Sequence, residues 1–377
     1  MKPKLVRVTT VSGSLDSLLK GQLAFLNQYY DVIGLASGRD ILRELGNREG
    51  IRTIEVKMHR EISLLADLKS LFGLIKVFHR EKPFIVHANT PKGSLLSMVA
   101  AWITRVPHRI YTVTGLRFET TTGLFRQLLI LMERITCFCA TKVIPEGDGV
   151  KETLIREKIT SKPLRKVLNG NISGIDMHHY TRSDEVLNRA KELGINKDHF
   201  TFCYVGRMVR DKGINELIRA FARLYNEHSS VRLLLVGFFE KELDPVLKEI
   251  EQLILTHKGI LFTGYQSDVR PWFVLSDALV FPSYREGFPN VVMQAGAMEL
   301  PSIVTNINGC NEIIVEGKNG IIIPPKEEDT LYYAMNYFLS HPEEVSLMAK
   351  NARSMIESRY EQSRVWNALL SEYKQLK

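Results

Sequence analysis

The 377-residue sequence holds only four cysteines, Cys137, Cys139, Cys203 and Cys310. So few thiols exclude a disulfide framework, and Cys137-Phe-Cys139 lacks the spacing of a zinc site. Buried, reduced thiols in a cytoplasmic chain are the expectation. No run reaches the roughly 20 apolar residues that a spanning helix needs. The most apolar stretch, "LFRQLLILMERITCFCA", is broken by Glu133 and Arg134. The opening "MKPKLVRVTTVSG" has too short an apolar run for a secretory signal. There is no Asp-x-Asp pair to hold a metal ion, and no Gly-x-Gly-x-x-Gly after a strand, which argues against a dinucleotide dehydrogenase. Short repeats and low-complexity tracts are missing too. The basic residues are not interleaved with aromatics and form no nucleic-acid-binding motif.

What is present is ordinary in bulk and uneven in placement. A 45% hydrophobic and 24% charged composition is that of a globular protein, and the length predicts two domains. Residues 1–170 carry 27 Lys and Arg against 15 Asp and Glu, a balance of +12; the remainder, 23 against 27, carries −4. A basic first half either meets an anionic partner (a membrane surface, nucleic acid or a phosphorylated substrate) or is simply a solvated face.

Short apolar runs alternate with helical ones. "KLVRVTTVS", "YDVIGLAS", "IRTIEVKM", "FIVHANT", "RIYTVTG" and "TKVIP" read as strands, and Leu15 to Asn27, "SLLADLKSLFGLIKVFHR" and "GSLLSMVAAWITRV" as helices. After the Gly- and Asn-rich "KVLNGNISGID" the alternation resumes with "FTFCYVGR", "VRLLLVG", "ILFTG", "ALVFPS", "PSIVTN" and "GIIIPP". This pattern predicts an α/β chain of two doubly wound parallel-sheet domains joined near Asn169–Asp176. Ligands of such sheets bind beyond the carboxyl ends of the strands, which points to a cleft between the domains. Consecutive amphipathic helices close the chain.

Three strand-end segments carry chemistry. In "YVGRMVRDKGINEL", Arg207 and Lys212 share the loop between a buried strand and a helix start, a setting suited to a diphosphate. Ser12-Gly13-Ser14 follows the first strand, where a glycine lets the backbone approach a phosphate. In "REGFPNVVMQ", Glu286 precedes a Gly-Phe-Pro turn, a helix starts near Pro289, and Gln294 lies about one turn into it. A carboxylate beside a helix N-terminus can read sugar hydroxyls and phosphate together; the alternative is an acidic residue that the helix dipole favours. His87 is either a polar site residue or a satisfied core histidine.

The order "GRMVRDKGINELIRAF…LLLVG…FTGYQSDVRPWFVLSDALVFPSYREGFPNVVMQAGAMELPSIVTNINGCNEIIVEGKNGIIIPP" resembles the retaining glycosyltransferases of family 4, with the GT-B fold. The first half is similar through "VTTVSGSL", "VHANTPKGSLLSMVAAWITRVPHRIYTVTGL" and "NGNISGID", in the manner of capsule and lipopolysaccharide sugar transferases. The resemblance implies two Rossmann-like domains facing a central cleft: an acceptor-binding domain over residues 1–168, a donor-binding domain over 169–355, and a C-terminal helix over 356–377 packed back on the first. It implies catalytic roles for Glu286, Arg207 and Lys212, the two cations holding the donor diphosphate. Gly13, Gly206, Gly237, Tyr265, Gly287 and Val291 would join them around the donor. The Phe288-Pro289-Asn290 turn would offer it backbone N–H groups.

Gln294 stands where the family's Glu-x7-Glu motif has its second acid, so the ribose contact loses charge assistance worth roughly 1–2 kcal/mol. Thr114-Gly115 stands where many relatives have His-Gly, which leaves Thr114 lining the sugar site with Gly115, Ser12 and His87. The implied reaction needs no cofactor and no metal ion. It moves a sugar from a nucleotide donor, UDP-linked by preference, to a polyprenyl-diphosphate-linked or other saccharide acceptor. The implied place is the inner face of the cytoplasmic membrane, with the anionic surface as a peripheral partner and no nucleic acid. Alternatives are an epimerase or a soluble-acceptor transferase of the same fold, or a weakened sugar-nucleotide-binding subunit.

Overall fold

The computed structural model describes residues 2–59, 61–195, 198–242 and 244–376; Met1, Arg60, Asn196, Lys197, Leu243 and Lys377 lie outside them. The chain divides into one unit of residues 1–174 with 363–377, and a second of residues 175–362.

In the first unit the strands are β1 (Lys4–Val11), β2 (Asp31–Ser37), β3 (Arg52–Glu55), β4 (Ile85–Ala88), β5 (His108–Val113) and β6 (Lys142–Pro145). Between them run α1 (Ser12–Leu19), α2 (Gln22–Asn27), α3 (Arg39–Glu49), α4 (Leu64–Glu81), α5 (Pro91–Ile103) and α6 (Gly123–Cys139), with α7 (Asp148–Arg156) after β6. The sheet is parallel throughout, in the order β3-β2-β1-β4-β5-β6. Helices on both faces bury the strands from both sides, which is why β4 can be four consecutive buried residues.

One core packs the inner faces of α4, α5 and α6 on the sheet, through Leu74, Phe78, Met98, Ala101, Ile130 and Cys137. A separate core gathers Leu15, Leu19 and Leu23 with Leu369, Leu370 and Tyr373 of the last helix. The run expected as one helix from Leu15 to Asn27 is two. Gly21 adopts φ +76°, and its N–H and that of Ala24 donate to the Glu49 carboxylate, which caps α2 from α3.

In the second unit, α8 (Asp184–Glu192) leads into β7 (Phe200–Val205), α9 (Ile214–Glu227), β8 (Val231–Val236), α10 (Lys248–Thr256), β9 (Ile260–Gly264), α11 (Arg270–Val274), β10 (Ala278–Phe281) and α12 (Asn290–Ala297). There follow β11 (Ser302–Thr305), α13 (Cys310–Ile313), β12 (Gly320–Ile323), α14 (Glu328–Ser340) and α15 (Pro342–Tyr360). Its parallel sheet has the order β12-β11-β10-β7-β8-β9. Counted within each unit, the two orders are the same. Each reverses direction once, between β1 and β4 in the first unit and between β7 and β10 in the second.

The unit boundaries differ from 168/169 and 355/356 for packing reasons. Ile356 lies against Gly296 of α12, and Tyr360 meets Phe288 edge to face at 5.4 Å, so α15 stays with the second unit to its end. The helix α16 (Gln362–Lys374) then supplies Leu369, Leu370 and Tyr373 to the first unit.

Candidate active site

Open parallel sheets leave a crevice where the strand order reverses, because the loops after the two flanking strands run to opposite sides. In the second unit those loops follow β7 and β10, and they touch. Gly213, at φ +69°, passes so close that a Cβ there would lie 2.1 Å from the Pro282 carbonyl oxygen. The Tyr284 N–H donates to the Asp211 carbonyl at 2.8 Å. The contact brings the Lys212 ammonium into an ion pair with the Glu286 carboxylate, both part-buried.

The pair is held from several sides. Ser283 Oγ donates to Glu286 Oε1 at 2.9 Å, and Lys212 Nζ lies 5.4 Å from the Phe281 ring centroid. Beneath it, burial pushes the Cys310 thiol up, reinforced by the Glu286 charge and opposed by Lys212. Burial and then Glu286 likewise raise the Tyr204 phenol, whose hydroxyl donates to the Arg207 carbonyl at 2.9 Å. Gly309 packs against Gly287, Phe288 and Pro289 so tightly that any side chain would collide with the turn. The turn leads into α12, whose first residue is Asn290. Pro289 carries no N–H, so the backbone donors here are those of Phe288, Asn290 and Val291.

Arg207 shares Lys212's loop but not its partner: its guanidinium pairs with Glu240, beyond the end of β8. Each of the two cations thus has its own carboxylate partner, in the loop from which the sequence suggested that both meet one ligand. Gly206 and Gly237 bring the β7 and β8 ends together. The Gly206 N–H donates to the Val236 carbonyl at 2.9 Å, and a Cβ on Gly237 would lie 1.8 Å from the Gly206 oxygen. Past them, Phe238 and Tyr265 expose their rings edge to face, 6.4 Å apart, an apolar platform at the β8 and β9 ends. Gln294 lies beside Tyr180; burial pushes that phenol up to about 12, opposed by the neighbouring Gln294 amide.

In the first unit, Gly13 is exposed at the second residue of α1 with open space around it, and Ser12 is buried beneath Gly38. The Thr114 hydroxyl donates to the Asn89 carbonyl at 2.8 Å, beside Gly115 at φ +138°. His87 does not belong to this set. Its ring is fully buried, with Nδ1 2.5 Å from the Tyr373 hydroxyl and Nε2 2.7 Å from Thr112 Oγ1, so neither nitrogen can meet a substrate. Burial, with Arg7 and Lys142 nearby, holds its pKa well below the usual histidine value. It is a satisfied core histidine.

Sequence reasoning missed Glu240, Tyr180 and Ser283 as partners of site residues. Ser283 stands three residues before Glu286, close enough in sequence to share its turn. The other two come from loops that only the fold brings near.

Two six-stranded parallel sheets of this order, with strand-end loops carrying the polar groups, define a GT-B-type protein. The profile "Glycosyl transferases group 1" matches residues 187–355, and "Glycosyl transferase 4-like domain" matches residues 25–170. Capsular polysaccharide biosynthesis glycosyltransferase CapM of Staphylococcus aureus is 34% identical over 98% of this chain and 96% of its own. The UDP-Gal:alpha-D-GlcNAc-diphosphoundecaprenol alpha-1,3-galactosyltransferase of Escherichia coli is 30% identical over 79% of this chain and 76% of its own. Anabaena HepE, solved in complex with UDP-glucose, superposes at a TM-score of 0.83 with 19% identity, covering 99% of this chain and 100% of that one. The chain belongs to the group 1, family 4-like glycosyltransferases and has the GT-B fold.

Proposed function

We propose that this protein moves a sugar from a UDP-linked donor to a lipid-diphosphate-linked saccharide, with retention at the anomeric carbon, in assembling a capsule-type surface polysaccharide. The second unit takes the donor and the first the acceptor, at the inner face of the cytoplasmic membrane. The observation that carries this reading is the Lys212–Glu286 pair at the reversal point of the second sheet, beside the start of α12. The activity of the E. coli relative and the capsular role of the S. aureus one support donor and acceptor class.

The mechanism follows from the charges. Donor diphosphate draws Lys212 away from Glu286, and Arg207 adds a second cation from the same loop. Both act where negative charge grows as the bond from the anomeric carbon to the β-phosphate oxygen breaks. Glu286, released from its counter-ion, accepts hydrogen bonds from the sugar hydroxyls. The acceptor hydroxyl attacks from the face that UDP leaves, its oxygen bonds to the anomeric carbon, and its proton passes to the departing phosphate oxygen. The aromatic pair Phe238 and Tyr265 offers a surface for the base. Incubation of the purified protein with a panel of UDP-sugars and a polyprenyl-diphosphate saccharide tests this. Stoichiometric UDP and glycosylated lipid are expected; hydrolysis or epimerisation of the donor without transfer would overturn it.

A further inference from the structure

An outer face of the first unit is built the wrong way round for a protein surrounded by water. The helix α6 buries Leu129, Ile130 and Cys137 against the sheet, yet its opposite side is also apolar. Leu124, Leu128, Leu131, Ile135 and Phe138 recur at helical spacing along the solvent side, with Leu124 90% and Phe138 71% exposed. The first half of α4 repeats the pattern. Leu65, Leu68 and Phe72 point outward, Leu65 at 77% and Phe72 at 67%, while Leu74, Val77 and Phe78 point in.

These faces are neighbours. The helices α4 and α5 pack together, as do α5 and α6, all over one side of the sheet. At the end of α5, half-exposed Trp102 lies 6.4 Å from the Phe138 ring. An apolar surface of this extent on a soluble protein marks an interaction site.

The charges select the partner. Exposed cations stand among the apolar side chains, with Lys69 and Lys76 on α4, Arg105 after α5 and Arg134 on α6. The three helices contain only three carboxylates. Asp67 pairs with Lys92, Glu81 with Lys4, Arg52 and Arg80, and Glu133 is buried with the Tyr111 hydroxyl donating to it at 2.9 Å. A two-fold pairing of this face with a second copy would set like charges against one another. A surface with an apolar interior and anionic headgroups matches both features. Among the described residues no helix is long and apolar enough to cross a membrane, so the contact lies in the plane of the leaflet.

We infer that the outer faces of α4 and α6, with the exposed end of α5 between them, form a docking surface that inserts Leu65, Phe72, Leu124, Leu128, Leu131 and Phe138 into an anionic leaflet. This rests on the proposed lipid-linked acceptor and names the residues that would bring the first unit to it.

Flotation with phosphatidylglycerol-containing vesicles tests the surface, with pure phosphatidylcholine as control. Wild-type protein should float with the anionic vesicles, and brominated lipid should quench Trp102 emission, a signal lost in Trp102→Phe. Leu128→Gln/Leu131→Gln should lower partitioning at least tenfold with an unchanged circular dichroism spectrum, and Lys69→Glu/Lys76→Glu should weaken it mainly at low salt. Equal flotation of the leucine variant would overturn insertion. So would a wild-type dimer, by light scattering, that this variant converts to monomer while neither floats. Transfer to a short-chain, water-soluble acceptor is read separately: its failure strikes the proposed reaction, whereas failed flotation strikes this surface and the membrane placement and leaves the reaction standing.

Discussion

Replacing Lys212 by Met removes the ammonium paired with Glu286 and retains most of the side-chain volume. Two consequences separate. On the bound state, a lost charge-assisted contact to diphosphate costs roughly 1.5–3 kcal/mol, about a 10- to 150-fold rise in Kd for UDP. The lower part of that range is expected, because diphosphate must first displace Glu286 from Lys212. On the free state, Glu286 loses its counter-ion in a part-buried site, a destabilisation of about 1–3 kcal/mol that Glu286→Gln in the same chain should relieve. Glu286→Gln alone unties Lys212, so UDP should bind as tightly or a few-fold more tightly while turnover falls by about 10²- to 10³-fold. Isothermal titration with UDP and with uridine resolves these effects. Uridine has no phosphate, so its affinity should not move. An unchanged Kd for UDP in Lys212→Met, or an equal loss for uridine, would refute the assignment.

Arg207→Ala should weaken UDP binding by about 1 kcal/mol, less than Lys212→Met, because Arg207 is nearly half exposed and tied to Glu240; equal losses by titration would contradict that ranking. Gln294→Glu should tighten nucleoside diphosphate binding by about 1 kcal/mol through a charged acceptor for the ribose diol, beside the Tyr180 hydroxyl. Weaker binding would mean that Tyr180 is matched to the neutral amide. Burial raises Glu133 to about 7, so the folded state retains a proton that the unfolded chain loses near its ordinary value. Stability should therefore fall as pH rises from about 4.5 to 7 and then level off, by up to about 3 kcal/mol. Glu133→Gln should raise Tm at pH 8 and leave it unchanged at pH 4.5; the same shift at both would assign the effect to packing.

Much of this was legible in the chain because it is local. A strand, a glycine-bearing loop and a helix start are consecutive in "YVGRMVRDKGINEL" and again in "ALVFPSYREGFPNVVMQ", so Lys212 and Glu286 could be placed at strand ends from spacing alone. That they meet follows from the reversal of strand order between β7 and β10, which a linear reading cannot see. Arg207 pairing with Glu240 and Gln294 with Tyr180 are contacts across 33 and 114 positions, with no periodic signal. His87 was ambiguous for the same reason: the Tyr373 hydroxyl that satisfies it lies 286 positions away. The most apolar stretch of the sequence folds as α6, and composition could not say which of its sides meets the sheet and which meets solvent; that distinction carries the docking surface.

The proposed retaining transfer from a UDP-sugar at the Lys212–Glu286 site is read out in the anomeric configuration of the product. The purified protein is incubated with an α-linked UDP-sugar and a polyprenyl-diphosphate saccharide in the presence of EDTA. The glycosidic proton coupling of the product is then read by NMR, alongside Glu286→Gln. An α-linked product is expected, released with one UDP per transfer, undiminished by EDTA and lost in Glu286→Gln. A β-linked product, or full activity in Glu286→Gln, would contradict it.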